Sequence, residues 1–114
     1  MDVQITQNSG VVVIKLDGRL DFNSSTEISS KLMETVEENK HIVIDMSKCS
    51  YVSSSGLRIL LVLGKRAKQL GETIVLASLT YDVQDIMEMT GVGSIFHCYD
   101  SLDEAVNSFM KNND

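Results

Sequence analysis

His41-Ile42-Val43-Ile44-Asp45-Met46 reads as a strand, Leu57-Arg58-Ile59-Leu60-Leu61 opens a helix, and Ser53-Ser54-Ser55-Gly56 joins the two. Ile42 and Ile44 fall on one face of the strand, with Val43 and Met46 on or near the other. A strand apolar on both faces belongs in the middle of a sheet covered on both sides. Leading directly into a helix, it forms the unit from which parallel α/β sheets are built. The serines stand where the first N–H groups of the helix lack partners and the positive end of its dipole gathers. That place suits an anion, and phosphorylation can turn a serine there into one. A single serine suffices to cap a helix, contributing ~1 kcal/mol, so three exceed what capping requires.

Outward from this unit, Val3-Gln4-Ile5-Thr6 and Val11-Val12-Val13-Ile14-Lys15-Leu16 flank Asn8-Ser9-Gly10, the pattern of a β-hairpin. Ser24 with Glu27 three residues later predicts a capping box, and Ile28, Leu32 and Val36 give the helix behind it an apolar stripe. The helix after the serines runs to Leu70 and stops at Gly71, a residue suited to the left-handed position past a helix end. Along it Leu57, Leu60, Leu61, Gly64 and Ala67 form the inward stripe, with Arg58, Val62, Lys65, Arg66 and Gln69 opposite. Thr73-Ile74-Val75-Leu76-Ala77 is a further buried strand. Thr80 caps a third helix with Val83, Ile86, Met87 and Thr90 on one face, and Gly91 ends it. Ser94-Ile95-Phe96-His97-Cys98 is short and strand-like. Ser101 with Glu104 predicts a second capping box ahead of Leu102, Ala105, Val106, Phe109 and Met110. The order ββαβαβαβα predicts an α/β fold, a mixed and mainly parallel sheet with an N-terminal hairpin and about four helices. One domain over 1–114 is expected, with 111–114 a frayed polar tail.

Bulk composition removes several functional classes. A net charge of −6 and an aromatic content of 5% argue against nucleic acid, which needs a basic face and stacking rings. Cys49 and Cys98 have no CxxC spacing, so no disulfide framework is expected and a reducing cytoplasm fits. The first residues lack the basic region and apolar run of a signal peptide. No apolar stretch approaches the ~20 residues that span a bilayer, so no membrane association is expected.

Enzyme signatures are equally absent. Ser53 to Arg58 has neither the glycines nor the lysine of a P-loop, and without a GxSxG elbow Ser54 and Ser55 have no hydrolase frame. His41 and His97 occupy strand positions, and His97 and Cys98, being adjacent on a strand, point to opposite faces rather than to one metal. Asp45 invites comparison with a phosphoaccepting receiver, but Asn8-Ser9-Gly10 and Asp17-Gly18-Arg19 supply no acidic pair to share Mg²⁺ with it. Asp45 reads instead as a strand-end residue bonding the nearby loop. No catalytic residue, metal or cofactor is expected. Arg58, Lys65, Arg66 and Lys68 crowd one helix of an acidic chain. That face is either solvated or a docking surface for an acidic partner, with Ile59 and Val62 at its apolar centre.

The run Asp45-Met46-Ser47-Lys48-Cys49-Ser50-Tyr51-Val52-Ser53-Ser54-Ser55-Gly56-Leu57 resembles the signature segment of the STAS domain, in particular that of the small single-domain anti-sigma factor antagonists of bacteria. Gly18-Arg19-Leu20-Asp21, the Thr90-Gly91 to Phe96 stretch and Ser101-Leu102-Asp103-Glu104-Ala105 agree with it, so the resemblance covers nearly the whole chain. It implies a binding module rather than an enzyme. Unphosphorylated, such a protein binds an anti-sigma factor that is also an ATP-dependent serine kinase. Phosphorylation releases it, and a PP2C-type phosphatase resets the switch. The phosphorylated serine would be Ser55, immediately before the glycine, and Asp21 would lie near the partner surface. Ser53 departs from the family, which usually has aspartate there, so Ser54 and Ser53 stay open as acceptors. The surface so read comprises Asp21, Ser53, Ser54, Gly56, Arg58, Ile59, Val62, Lys65 and Arg66, on a monomer or weak dimer. The alternative within the family is a non-switching STAS scaffold of a stress-sensing complex.

Overall fold

Ser9 and Gly10 adopt left-handed backbone conformations, with φ of 56° and 82°. Two such residues in succession make the tight reversal whose twist suits a hairpin. The chain accordingly folds β1 (Asp2–Asn8) against β2 (Val11–Leu20), antiparallel, with Val3 opposite Leu16 and Asn8 opposite Val11. The computed structural model describes residues 1–111, and its elements follow the expected order. After β2 come α1 (Phe22–Glu38), β3 (His41–Val52), α2 (Ser54–Gln69), β4 (Thr73–Ala77), α3 (Tyr81–Thr90), a 3-10 turn at Val92–Ser94, β5 (His97–Tyr99) and α4 (Leu102–Lys111).

The strands lie in sequence order in one five-stranded sheet, parallel from β2 to β5. Alternation along the strands divides the core in two. Val12, Ile14, Leu16, Ile42, Ile44 and Leu76 pack with Leu32 of α1, Leu60 and Leu63 of α2, and Met87 of α3. Val11, Val13, Val43, Val75 and Ala77 pack with Ala105, Val106 and Phe109 of α4. Three helices therefore cover one face and one covers the other, as two-sided burial of a parallel sheet requires.

Several local expectations shift. Met46 lies on the face of Ile42 and Ile44, not on that of Val43, because strand side chains alternate strictly. The strand begun at His41 also continues to Val52. Register shifts between Lys15 and Asp17 and between Gly18 and Arg19 let β2 stay paired with it to the end. The cap of α1 is Asp21, not Ser24: Asp21 Oδ1 accepts from the Ser24 N–H at 3.1 Å, and Ser24 Oγ accepts from the Asp21 N–H at 2.9 Å. Ser24 also donates to the Arg19 carbonyl at 2.7 Å, which buries it in the first turn and leaves Glu27 exposed a turn later. On α2 the inward stripe includes Leu63, while Leu61 and Gly64 are only partly buried.

Thr80 and Gly91 bound α3 as expected, but Thr90 is exposed and donates back to the Ile86 carbonyl. Ser94 ends the 3-10 turn and β5 begins only at His97, leaving Ile95 exposed. Ser101 Oγ accepts from the Glu104 N–H at 3.1 Å at the start of α4, whose Ala105, Val106 and Phe109 are buried while Met110 is exposed. Lys111 closes α4, and the rest of the expected tail lies outside the described residues. Among the described residues no helix is long and apolar enough to cross a membrane, and no three His, Cys, Asp or Glu side chains gather as metal ligands.

Candidate functional site: two adjacent helix starts

β2 and β3 remain paired up to Leu20 and Val52, and each strand then passes straight into a helix. Asp21 caps α1 and Ser53 caps α2, so two helix N-termini open side by side at the same end of the sheet. Ser53 serves as the cap of α2. Its N–H donates to the Leu20 carbonyl at 2.9 Å, its carbonyl accepts from the Leu57 N–H at 2.9 Å, and its Oγ accepts from the Gly56 N–H at 3.3 Å. Asp21 is committed to α1, and the Ser24 backbone N–H holds its carboxyl below the usual carboxylate range.

Gly56 fits because it has no side chain. A Cβ on it would stand 2.5 Å from the Leu20 carbonyl oxygen and 2.9 Å from Leu20 Cγ. The first turn of α2 thus rests directly on the end of β2. That contact fixes Ser54, which is exposed, and Ser55, which is half-buried. Among the described residues neither hydroxyl has a hydrogen-bond partner, in contrast to Ser53. The first turn of α2 carries no acid, whereas α3 has Asp82 there and α4 has Asp103 and Glu104. The positive end of the α2 dipole is left uncompensated by any side chain of its own turn.

Ser55 lies in a groove between α1 and α2 with a volume of about 350 Å³, lined by Phe22, Ser25, Thr26 and Ser29 on one side and Ser55, Arg58, Ile59 and Val62 on the other. Arg58, Ile59 and Val62 therefore come together with Ser55, as read from the sequence. Val62 is 45% exposed, and Phe22, which sequence reasoning passed over, is 68% exposed. The available signal was a large aromatic just after an aspartate at a helix start, where no inward stripe claims it. Arg66 is drawn away: it reaches Glu37 Oε2 of α1 at 4.0 Å and Gln69 Oε1 at 3.4 Å. Lys65 and Lys68 line a different groove, beside Ile95, Phe96 and His97. Arg58 thus borders the α1–α2 groove, Arg66 pairs across to α1, and Lys65 and Lys68 border the second groove.

No imidazole stands beside the serines. His41 begins β3, a full strand length from Ser53, with its ring 4.9 Å from that of Phe109 of α4, and His97 begins β5. Asp45 is buried within β3, where Oδ1 accepts from the Ser47 N–H at 3.0 Å, so it bonds its own strand rather than a loop. What the junction offers is an accessible hydroxyl on a rigid, electropositive helix start, flanked by apolar surface and one guanidinium.

A family model described as the STAS domain matches residues 2–105. BtrV of Bordetella bronchiseptica, provisionally named an anti-sigma factor antagonist, is 26% identical over 110 residues, 96% of this chain and 95% of its own. The anti-sigma F factor antagonist of Paenibacillus polymyxa is 24% identical over 103 residues, 89% of this chain and 88% of its own. In fold, the chain matches the anti-sigma factor antagonist SpoIIAA in its unphosphorylated form with a TM-score of 0.81, at 19% identity over 96% of this chain and 97% of that one. Against the phosphorylated form of SpoIIAA, a Bacillus cell fate determinant, the TM-score is 0.73 at 19% identity, over 95% and 99% of the two chains.

Proposed function

The chain belongs to the STAS domain family, and from that premise we propose that it is an anti-sigma factor antagonist switched by phosphorylation of Ser55. The names of its curated relatives and the likeness to SpoIIAA support the antagonist reading. The observation that carries the switch is the half-exposed, unbonded Ser55 on a helix start that its neighbour Gly56 seats against Leu20.

In the unphosphorylated state the protein binds an anti-sigma factor that is itself an ATP-dependent serine kinase, which frees a sigma factor in the cytoplasm. Phe22, Ile59 and Val62 form the apolar centre of the contact, Arg58 meets acidic groups of the partner beside it, and Lys65, on the neighbouring groove, lies at its margin. Asp21, Ser53 and Gly56 shape the surface by capping and close packing, Ser54 and Ser55 face the partner, and Arg66 lies at the rim. The kinase transfers the γ-phosphoryl group of ATP to Ser55 Oγ, leaving ADP, while the hydroxyl proton passes to the kinase. A PP2C-type phosphatase later hydrolyses the ester to regenerate serine and inorganic phosphate.

A phosphate adds about −1.5 to −2 charges. On its own helix N-terminus that charge is tolerated, so the fold survives, whereas against an acidic partner it is repelled. Turning a mostly bound protein into a mostly free one requires a differential of about 5.5 kcal/mol. A like-charge clash at a desolvated interface, with the loss of hydrogen bonds from the Ser55 hydroxyl, is of that order.

The test is phosphopeptide mapping on protein purified from its own cells with phosphatase inhibitors, joined to binding assays with the cognate anti-sigma factor. Trypsin releases Cys49 to Arg58, a peptide that holds Ser53, Ser54 and Ser55 together with Ser50, so the phosphate is localised by fragmentation. Phosphate on Ser55, loss of binding in Ser55→Asp and retained binding in Ser55→Ala are expected. A Ser55→Asp protein that binds like the parent, as a non-switching scaffold would, overturns the reading.

A further inference from the structure

We propose that the phosphate on Ser55 is gripped by its own protein, between the Ser25 hydroxyl, the Arg58 guanidinium and the α2 N-terminus, so that modification withdraws Arg58 from the partner surface. This rests on the reading of Ser55 as phosphoacceptor and adds to charge repulsion a second means of release.

Ser25 is the observation that points to a missing ligand. It is 6% exposed, and its Oγ is buried with no hydrogen-bond partner among the described residues. The other buried hydroxyls of α1 are satisfied: Ser24 donates to the Arg19 carbonyl, and Thr35 donates to the Lys31 carbonyl at 2.8 Å. Buried polar groups are rarely left so, and each exception calls for an explanation. Ser25 lines the α1–α2 groove together with Ser55 and Arg58.

Arg58 follows Ser55 by three residues, a spacing that places side chains as neighbours on a helix surface. Among the described residues it forms no ion pair, whereas Arg66 pairs with Glu37. The first turn of α2 has no acid of its own, and its leading N–H groups lack helical acceptors. Asp21, the carboxylate of the neighbouring cap, is held by Ser24 and does not line the groove. A phosphate offers three acceptor oxygens. One can take the Ser25 hydroxyl, one the Arg58 guanidinium, and one the free N–H groups of α2. Arg58 occupied in this way is no longer available to an acidic partner.

The experiment needs neither kinase nor partner, so its failure leaves the phosphoacceptor reading standing for phosphopeptide mapping to judge. Phosphoserine is installed at position 55 of the full chain by amber suppression, alone and with Ser25→Ala or Arg58→Gln, and the phosphate is titrated by ³¹P NMR. In the parent its second pKa should lie below the value of about 6 typical of phosphoserine. It should rise by about half a unit in either variant, since donors to the dianion favour it. Thermal melts supply a second readout that reverses sign. Ser25→Ala should leave or raise the melting temperature of the unphosphorylated chain, by removing an unsatisfied hydroxyl, and lower it in the phosphoserine chain. A phosphate that titrates alike with and without Ser25, or a Ser25→Ala effect of the same sign in both states, overturns the proposal.

Discussion

The α-carbon of Gly56 faces the carbonyl oxygen of Leu20 so closely that a methyl group there would lie 2.5 Å from it. Leu20 ends β2 and Gly56 lies in the first turn of α2, so this contact sets how deeply the second helix start sits against the first.

Gly56→Ala should therefore destabilise the protein by about 1–3 kcal/mol, the usual cost of overpacking. The opposing atom is a strand carbonyl that cannot swing aside. Urea unfolding monitored by far-ultraviolet circular dichroism would show the midpoint fall. An unchanged midpoint would mean that the start of α2 is free to lift from β2.

Phe22 separates binding from stability. Being 68% exposed at the first position of α1, it can become alanine at no packing cost, so the melting temperature of Phe22→Ala should match that of the parent. If Phe22 anchors the partner, the same change should weaken the anti-sigma factor complex at least tenfold, or about 1.4 kcal/mol and upward. Calorimetric titration of parent and variant with the cognate anti-sigma factor measures both claims on the same preparations.

The cap of α1 predicts a pH dependence. Asp21 titrates below its ordinary range chiefly because the Ser24 N–H bonds its charged form, with the Ser24 hydroxyl and Arg19 adding to that pull and desolvation opposing it. A carboxyl whose folded pKa is depressed contributes stability that is complete above the unfolded pKa and vanishes as pH falls through the folded one. The stability gap between the parent and Asp21→Asn should hold constant above the ordinary carboxylate range and close as pH falls through that range into more acid solution. Denaturant unfolding of both proteins across that range tests it, and a gap that stays open in acid refutes it.

The two thiols should differ in reactivity. Burial pushes the Cys49 thiol up from the ordinary value, and partial desolvation by neighbouring side chains raises that of Cys98, so both are protonated at neutral pH. Cys49 is also inaccessible within β3, whereas Cys98 is exposed on the edge strand β5. Native protein at pH 8 should present one slowly reacting thiol to Ellman's reagent, faster as pH rises, and two in guanidinium chloride. Two reactive thiols in the native state would show that β3 opens readily.

The hairpin, the Thr80 cap and the glycine stop after α3 were legible because each rests on residues within a few positions of one another. Near the first helix the local code was degenerate. Asp21 to Ser24 and Ser24 to Glu27 both satisfy a capping spacing, and the Ser24 bond to the Arg19 carbonyl selected the earlier one. The spacing put Leu61 on the inward stripe of α2 and passed over Leu63. The seating of α2 between α1 and the sheet buried Leu63. The polar run from Ser47 to Tyr51 has no alternating stripe, yet pairing with Asp17 to Arg19 through two register shifts makes it strand.

By itself the sequence determined the order of strands and helices, the mainly parallel sheet, and the placing of three hydroxyls and a glycine at a helix start. Those properties follow from side-chain periodicity and from hydrogen bonds between near neighbours. Only the tertiary structure decided that the starts of α1 and α2 lie together, that Phe22 and Ser25 share a groove with Ser55 and Arg58, and that Arg66 turns instead to Glu37. These contacts join residues distant in the chain, and what brings them together is the register of β2 on β3 and the space left by the missing side chain of Gly56.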